Sequence, residues 1–146
     1  MNKFLLFCMT LCFAACQDHT VYHLYQPVPP TGWEKGDTIC YTYPAPQPSV
    51  PQQVEIGIRH KDSYPYRDIW LGIIQDEHID TIHLYLANEN GNWKGDGIGE
   101  IRLYTESLPI QVYLKDSIQT IQVTHIMEDK TLKGINDIGI CIKGKP

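Results

Sequence analysis

Apolar and polar residues alternate with a period of two along most of the chain after residue 36. Alternation of this kind is typical of β-strands with one buried face, and no segment has the 3.6-residue period of a helix. Turn-forming residues separate the alternating segments, of which there are about eight. Their apolar positions are Ile39, Tyr41 and Tyr43; Val54, Ile56 and Ile58; Ile69, Leu71 and Ile73; Ile82, Leu84 and Leu86; Ile101 and Leu103; Leu108, Ile110, Val112 and Leu114; Ile121 and Val123; Ile138, Ile140 and Ile142.

The number and length of these strands predict the fold class. Strands with a single apolar face form antiparallel sheets that bury one side. We therefore predict an all-β protein, an antiparallel two-sheet β-sandwich of jelly-roll type with about eight strands. A small closed barrel is the alternative. Trp70 alternates out of phase with its apolar neighbours, which favours a position on an outer sheet face.

A glycine- and asparagine-rich loop, residues 88–99, joins two of the predicted strands and carries Trp93. Glycine and asparagine adopt positive φ angles at low cost, so we expect several backbone reversals rather than a slack linker. Two interpretations of Trp93 stay open. Its ring is either exposed for recognition or folded back to fill its own loop.

The N-terminus has the parts of a secretory signal peptide. Lys3 supplies the charge, residues 4–13 form a short apolar run, and Ala14 and Ala15 precede Cys16. The run is too short to span a bilayer, which takes roughly 20 residues. Residues 13–16 resemble a bacterial lipobox, which implies cleavage before Cys16 and its acylation with diacylglyceryl and palmitate-type chains. Two or three acyl chains give stable anchoring, so we predict membrane attachment through lipid.

Three parts of the chain follow from these patterns. Residues 1–15 are the predicted lipoprotein signal peptide, residues 16–36 a lipidated N-terminus with a proline-containing tether, and residues 37–146 the β-sandwich domain. Within the tether, residues 21–25 are a candidate edge strand, and Trp33 is expected to pack on the domain.

Charge and cysteine content narrow the possible partners. Removal of residues 1–15 takes away only Lys3, so the net charge falls from −5 to −6. An acidic chain argues against nucleic-acid binding and against docking on anionic headgroups by a basic patch. Cys40 and Cys141 remain in an exported chain, both out of phase with the core positions. They are a candidate disulfide across an outer face if their Cα atoms lie within about 7 Å.

Patterns that carry chemistry are absent from the sequence. No G-x-S-x-G or C-x-x-C motif is present. Residues 76–80 are a dense polar turn, best interpreted as solvated. The asparagines of the 88–99 loop suggest calcium, but Gly91 is misplaced for that loop type. We predict no enzyme activity, no metal and no cofactor.

Several segments carry a family resemblance, in the right order and over most of the mature chain. They are residues 56–60, 64–71, 80–81, 84–87, 91–99 and 132–140. Together with the lipobox, they resemble the gliding-motility lipoprotein GldH family of Bacteroidetes. The resemblance implies an envelope lipoprotein, expected at the outer membrane, with envelope protein partners from the gliding machinery. It implies no catalytic residue.

Two functions follow as hypotheses. The first is a structural or assembly role in which Tyr64, Tyr66 and Trp93 are candidate binding residues, since aromatic residues dominate contact energies. The alternative is a carbohydrate-binding β-sandwich on a lipid anchor, with the same rings stacking on a glycan. A coplanar row of these rings in a groove favours the glycan, whereas a convex patch favours a protein.

Overall fold

The computed structural model describes residues 19–45, 52–112 and 117–144, and no helix occurs within those ranges. These described ranges contain ten strands. Their bounds are β1 Thr20–Pro27, β2 Trp33–Glu34, β3 Ile39–Pro44, β4 Gln52–Lys61, β5 Asp68–Gln75, β6 His78–Tyr85, β7 Ile101–Ser107, β8 Ile118–His125, β9 Thr131–Leu132 and β10 Ile135–Gly144.

The strands form two four-stranded antiparallel sheets, ordered β1-β10-β4-β7 and β3-β8-β5-β6, with a short β2-β9 ladder beside them. Counted among the eight long strands alone, the orders are 1-8-3-6 and 2-7-4-5, which is the strand order of a jelly roll. The sheets remain separate and do not close into a barrel. The predicted all-β sandwich is confirmed, and the barrel alternative is wrong.

The period-two pattern places the core between the sheets. Ile69, Leu71 and Ile73 of β5 are fully buried, whereas Trp70 between them is 40% exposed. In the opposite sheet, β4 and β10 also contribute alternating apolar residues to this core. Ile56 of β4 pairs with Ile140 of β10, and both are buried. Side chains of successive strand residues point to opposite faces, so Trp70 lies on the outer face as predicted.

A buried hydrogen bond joins the two sheets. The Tyr41 hydroxyl on β3 donates to the Ile138 carbonyl on β10 at 2.6 Å. Burial raises the pKa of Tyr41, which keeps the hydroxyl protonated. Tyr43, two residues along the same strand, is equally buried, and burial raises its pKa to about 12. Its hydroxyl finds no hydrogen-bond partner in the described part of the chain.

The segment predicted as a tether contains an edge strand of the sandwich. Strand β1 pairs with β10 from Thr20 to Pro27, so the folded domain begins well before residue 37. Tyr25 anchors this strand by lying flat on the sheet. A Cβ atom at Gly139 would lie 2.5 Å from its ring, so a larger residue there would displace the Tyr25 side chain. The Arg59 guanidinium lies 4.2 Å from the ring centroid on Tyr25.

Trp33 packs on the domain as expected. Its ring is buried, and its indole Nε1 donates to the Asp37 carbonyl at 3.1 Å.

The prediction of a strand over residues 108–114 is wrong in its described part, residues 108–112, which contain no strand. Pro109 lacks a backbone donor and interrupts a ladder. Leu108 is buried all the same, held by its N–H donating to the Val54 carbonyl.

Candidate partner-binding face

Trp93 is folded back onto its own domain. Its half-buried ring lies 4.5 Å, centroid to centroid, from the imidazole of His60 at the end of β4. Gly91 and Gly99 have positive φ, as expected for a loop with several reversals. The Asn88 side chain accepts from the backbone N–H groups of Asn90 and Asn92, both at 3.0 Å. This geometry favours the loop-filling interpretation of Trp93.

Tyr64 is also withdrawn from the surface. Its ring is 3% exposed, its hydroxyl donates to the Asp68 carbonyl at 2.9 Å, and burial raises its pKa. Tyr66 is exposed at 36%, but its ring is tilted by 73° to that of Tyr64. The structure thus brings the three predicted binding residues into one chain of ring contacts around His60. They do not form a coplanar row, and Tyr66 alone of the three is exposed.

Three further aromatic side chains lie on the outer face of β5 and β6. Trp70 and His83 are direct cross-strand neighbours, and their rings stack with centroids 3.9 Å apart and planes 8° apart. His83 also contacts Tyr85, two residues along β6, at 4.4 Å between ring centroids. Tyr85 is 55% exposed. We call Tyr66, Trp70, His83 and Tyr85 the aromatic patch.

A carboxylate fixes the centre of the patch. His83 Nε2 lies 2.6 Å from Asp68 Oδ2, and both side chains are partly buried. Because the carboxylate accepts, the proton of a neutral His83 resides on Nε2. This contact holds the imidazole plane against the indole of Trp70. The patch is therefore ordered before any partner binds, which lowers the entropic cost of association.

An open pocket of about 420 Å³ adjoins the patch. Its lining residues are Tyr66, Asp68, Trp70, Ile126, Met127 and Glu128. Met127 is buried, and its sulfur accepts a hydrogen bond from the backbone N–H of Trp70 at 3.3 Å. Asp129 stands beside Tyr66, and their hydrogen bond raises the pKa of the Tyr66 hydroxyl. We call this the patch pocket; it combines aromatic walls with two carboxylates.

The predicted Cys40–Cys141 disulfide does not form. Cys40 lies on β3 and Cys141 on β10, and these strands belong to different sheets. Cys40 is exposed whereas Cys141 is buried, and the outer faces of the two sheets point in opposite directions, which keeps the two thiols apart. Cys16 lies outside the described residues.

Comparison with known proteins decides the family. The family model described as "GldH lipoprotein" matches residues 20–142. The chain belongs to the GldH lipoprotein family. It is 21% identical, over 157 aligned positions, to the gliding motility lipoprotein GldH of Flavobacterium johnsoniae, and the match covers 99% of this chain and 97% of that protein. No solved structure matches it.

Membership of the GldH family makes this chain an envelope lipoprotein anchored to the membrane. The described ranges contain no helix that is long and apolar enough to cross a bilayer. Within the same ranges, no three histidine, cysteine, aspartate or glutamate side chains converge to hold a metal ion.

Sequence reasoning missed His83, Tyr85 and Asp68 as members of a site. A signal was present, because Trp70, His83 and Tyr85 all fall at outward positions of their strands. Three aromatic side chains on the solvent side of two adjacent predicted strands are more than an ordinary surface carries. The pairing of Trp70 with His83 depends on strand register, which sequence periodicity does not supply.

Proposed function

We propose that this GldH-family lipoprotein has a non-catalytic assembly role at the surface of the outer membrane. Its signal peptide is removed, acylated Cys16 holds it in the lipid, and the sandwich presents the aromatic patch to an envelope protein. The observation that carries the proposal is the exposed Trp70, stacked on the partly buried His83 beside an open pocket. Interface hot spots are enriched in such rigid aromatic side chains.

The position of the patch within the fold supports this role. Thr20 pairs with Lys143, and Gln52 pairs with Gly144, so the chain enters the sandwich at the end where β4 begins. Strand β4 then runs ten residues to the opposite end, a distance of roughly 30 Å. Strand β5 begins there at Asp68. The patch therefore lies at the end of the sandwich remote from the lipid anchor.

The linker to the lipid is short, which restricts the domain. Three residues separate Cys16 from Thr20, and an extended chain covers at most about 3.6 Å per residue. The start of β1 is thus held within roughly 15 Å of the acylated cysteine. A domain tethered so closely keeps its remote end facing away from the lipid, where another envelope protein can reach it.

Crosslinking in intact cells tests the proposal. A photoreactive phenylalanine analogue at position 85 lies within the patch, whereas the same analogue at exposed position 42 lies on β3, at the other edge of the same sheet. We expect discrete protein adducts from position 85 and not from position 42. Equal adduct patterns from both positions would remove the patch from the proposal.

Glycan binding is the second candidate, and one observation favours it. Trp70 beside a carboxylate-lined pocket is an arrangement that also suits a sugar ring. However, His83 already covers one face of the indole, and Tyr64 and Trp93 are withdrawn. Glycan-array binding that is lost in Trp70→Leu would establish this alternative.

A further inference from the structure

The patch pocket has the chemistry of a cation site rather than of a neutral apolar cleft. Two of its six lining residues, Asp68 and Glu128, are carboxylates, and none is lysine or arginine. Glu128 is exposed, so its carboxylate is accessible to an incoming group. The whole chain carries a net charge of −5, so its long-range field also attracts cations.

Aromatic rings supply the second half of that chemistry. Tyr66 and Trp70 both line the pocket, and indole is the best π-face for a cation. His83 covers one face of the indole, and the pocket lies along Trp70. The fold already uses this attraction twice, with Arg59 over Tyr25 at 4.2 Å and, within the aromatic patch, with Lys94 near Tyr85 at 5.8 Å. Neither of these cations lines the patch pocket.

The shape of the pocket separates an organic cation from a metal ion. A metal needs several ligands converging within about 2.0–2.6 Å, and the described residues hold no group of three potential ligands. A volume of about 420 Å³ instead accommodates a planar guanidinium with its aliphatic stem. Guanidinium groups stack on aromatic faces and pair with carboxylates, the two features present here.

We propose that the patch pocket receives an arginine side chain of the protein partner, with the guanidinium between the Trp70 indole and the Glu128 carboxylate. This inference rests on the proposed function, because it assigns the chemistry of the partner at the same face. Asp68 is a positioning residue here, since it holds His83 against the indole.

The test uses the full-length lipoprotein in detergent micelles, labelled with ¹⁵N at its three tryptophans. The probe is N-acetyl-arginine-N-methylamide, and the matched neutral probe is the citrulline analogue. We expect the arginine probe to shift the indole signal of Trp70 saturably while those of Trp33 and Trp93 stay in place. The citrulline probe is expected to leave all three unchanged.

Two charge variants test whether the Glu128 carboxylate binds the arginine probe. Glu128→Gln should weaken binding of the arginine probe roughly two- to fivefold, the range of an exposed ion pair. Glu77→Gln, an exposed carboxylate in the β5–β6 turn, is the matched control and should bind like the wild type. Equal shifts from both probes, or shifts produced by oligosaccharides alone, would overturn the arginine site.

The two experiments separate a failure of the arginine site from a failure of the assembly role. Adducts at position 85 in cells, combined with no response of Trp70 to the arginine probe, would leave the assembly role standing and overturn the arginine site. Absence of those adducts would count against the assembly role whatever the probe does.

Discussion

Trp70 and His83 face each other across β5 and β6 with their ring planes 8° apart and their centroids separated by 3.9 Å. Asp68 secures the imidazole from the side at 2.6 Å. These two contacts join the three side chains into one unit on the outer face of the sheet. A single substitution in this unit therefore tests both its order and its use.

Replacement of His83 by alanine should lower the free energy of unfolding by about 0.5–1.5 kcal/mol, because an aromatic pair contributes that much beyond area burial. Urea denaturation measures the change. The control is Thr81→Ala, an exposed position on the same strand and the same face. If His83→Ala lowers the free energy of unfolding no more than the control does, the stacked pair does not stabilise the fold.

The buried tyrosines of β3 give a matched pair. Tyr41→Phe removes the donor to the Ile138 carbonyl, and the expected cost is about 1–3 kcal/mol of unfolding free energy. Tyr43→Phe removes a hydroxyl that has no partner among the described residues, so it should be neutral or stabilising. Thermal or urea unfolding of both variants checks this difference, and equal effects would contradict the sheet-to-sheet hydrogen bond.

The strands were largely predictable from sequence, because alternation reports directly on one-sided burial. Seven of the eight long strands coincide with predicted segments, and β1 was expected only as a candidate. The strand predicted over residues 108–114 was wrong in its described part, because the apolar residues there pack on the core next to Pro109 without pairing in a ladder.

The candidate site was much less predictable. Tyr64 was a candidate binding residue and Trp93 was left open between an exposed and a folded-back ring, and both pack around His60 on β4. The disulfide prediction treated Cys40 and Cys141 as neighbours, although their strands belong to different sheets. The positions of Trp93 and of the two cysteines depend on contacts between distant segments, about which local periodicity carries no information.

Acidification should destabilise the fold through His60. Burial lowers the pKa of this histidine below its ordinary value of 6.5, although the Lys61 carbonyl and Asp62 partly oppose the shift. Its Nε2 has no hydrogen-bond partner among the described residues. Arg102, a nearby cation, also disfavours the charged form. The folded protein therefore keeps His60 neutral, while the unfolded chain takes up a proton.

The sign of the pH dependence follows. Below pH 6.5 the unfolded state binds more protons than the folded state. The contribution of His60 to the free energy of unfolding is therefore fully present above that pH, and it declines as the pH falls towards the folded pKa of His60. Burial lowers the pKa of His125 as well, so it contributes in the same direction. Urea titrations between pH 5 and 7.5 should be flatter for His60→Gln than for wild type and for His19→Gln. A wild-type slope in His60→Gln would refute the assignment.

The lipid anchor is tested at Cys16. Cys16→Ala should abolish incorporation of radiolabelled palmitate and move the protein out of the membrane fraction, because no other acylated cysteine is predicted. Cys40→Ala is the matched control and should be labelled normally. Palmitate incorporation into the Cys16→Ala variant would contradict acylation at Cys16.

Adduct formation in intact cells tests the central claim most directly. The photoreactive analogue is placed at position 85 in the wild type, in Trp70→Leu and in Glu77→Gln, and adduct yield is compared at equal lipoprotein abundance. We expect one set of protein adducts that is strongly reduced in Trp70→Leu and unchanged in Glu77→Gln. Adducts of equal yield in all three proteins would contradict a partner-binding role for the aromatic patch.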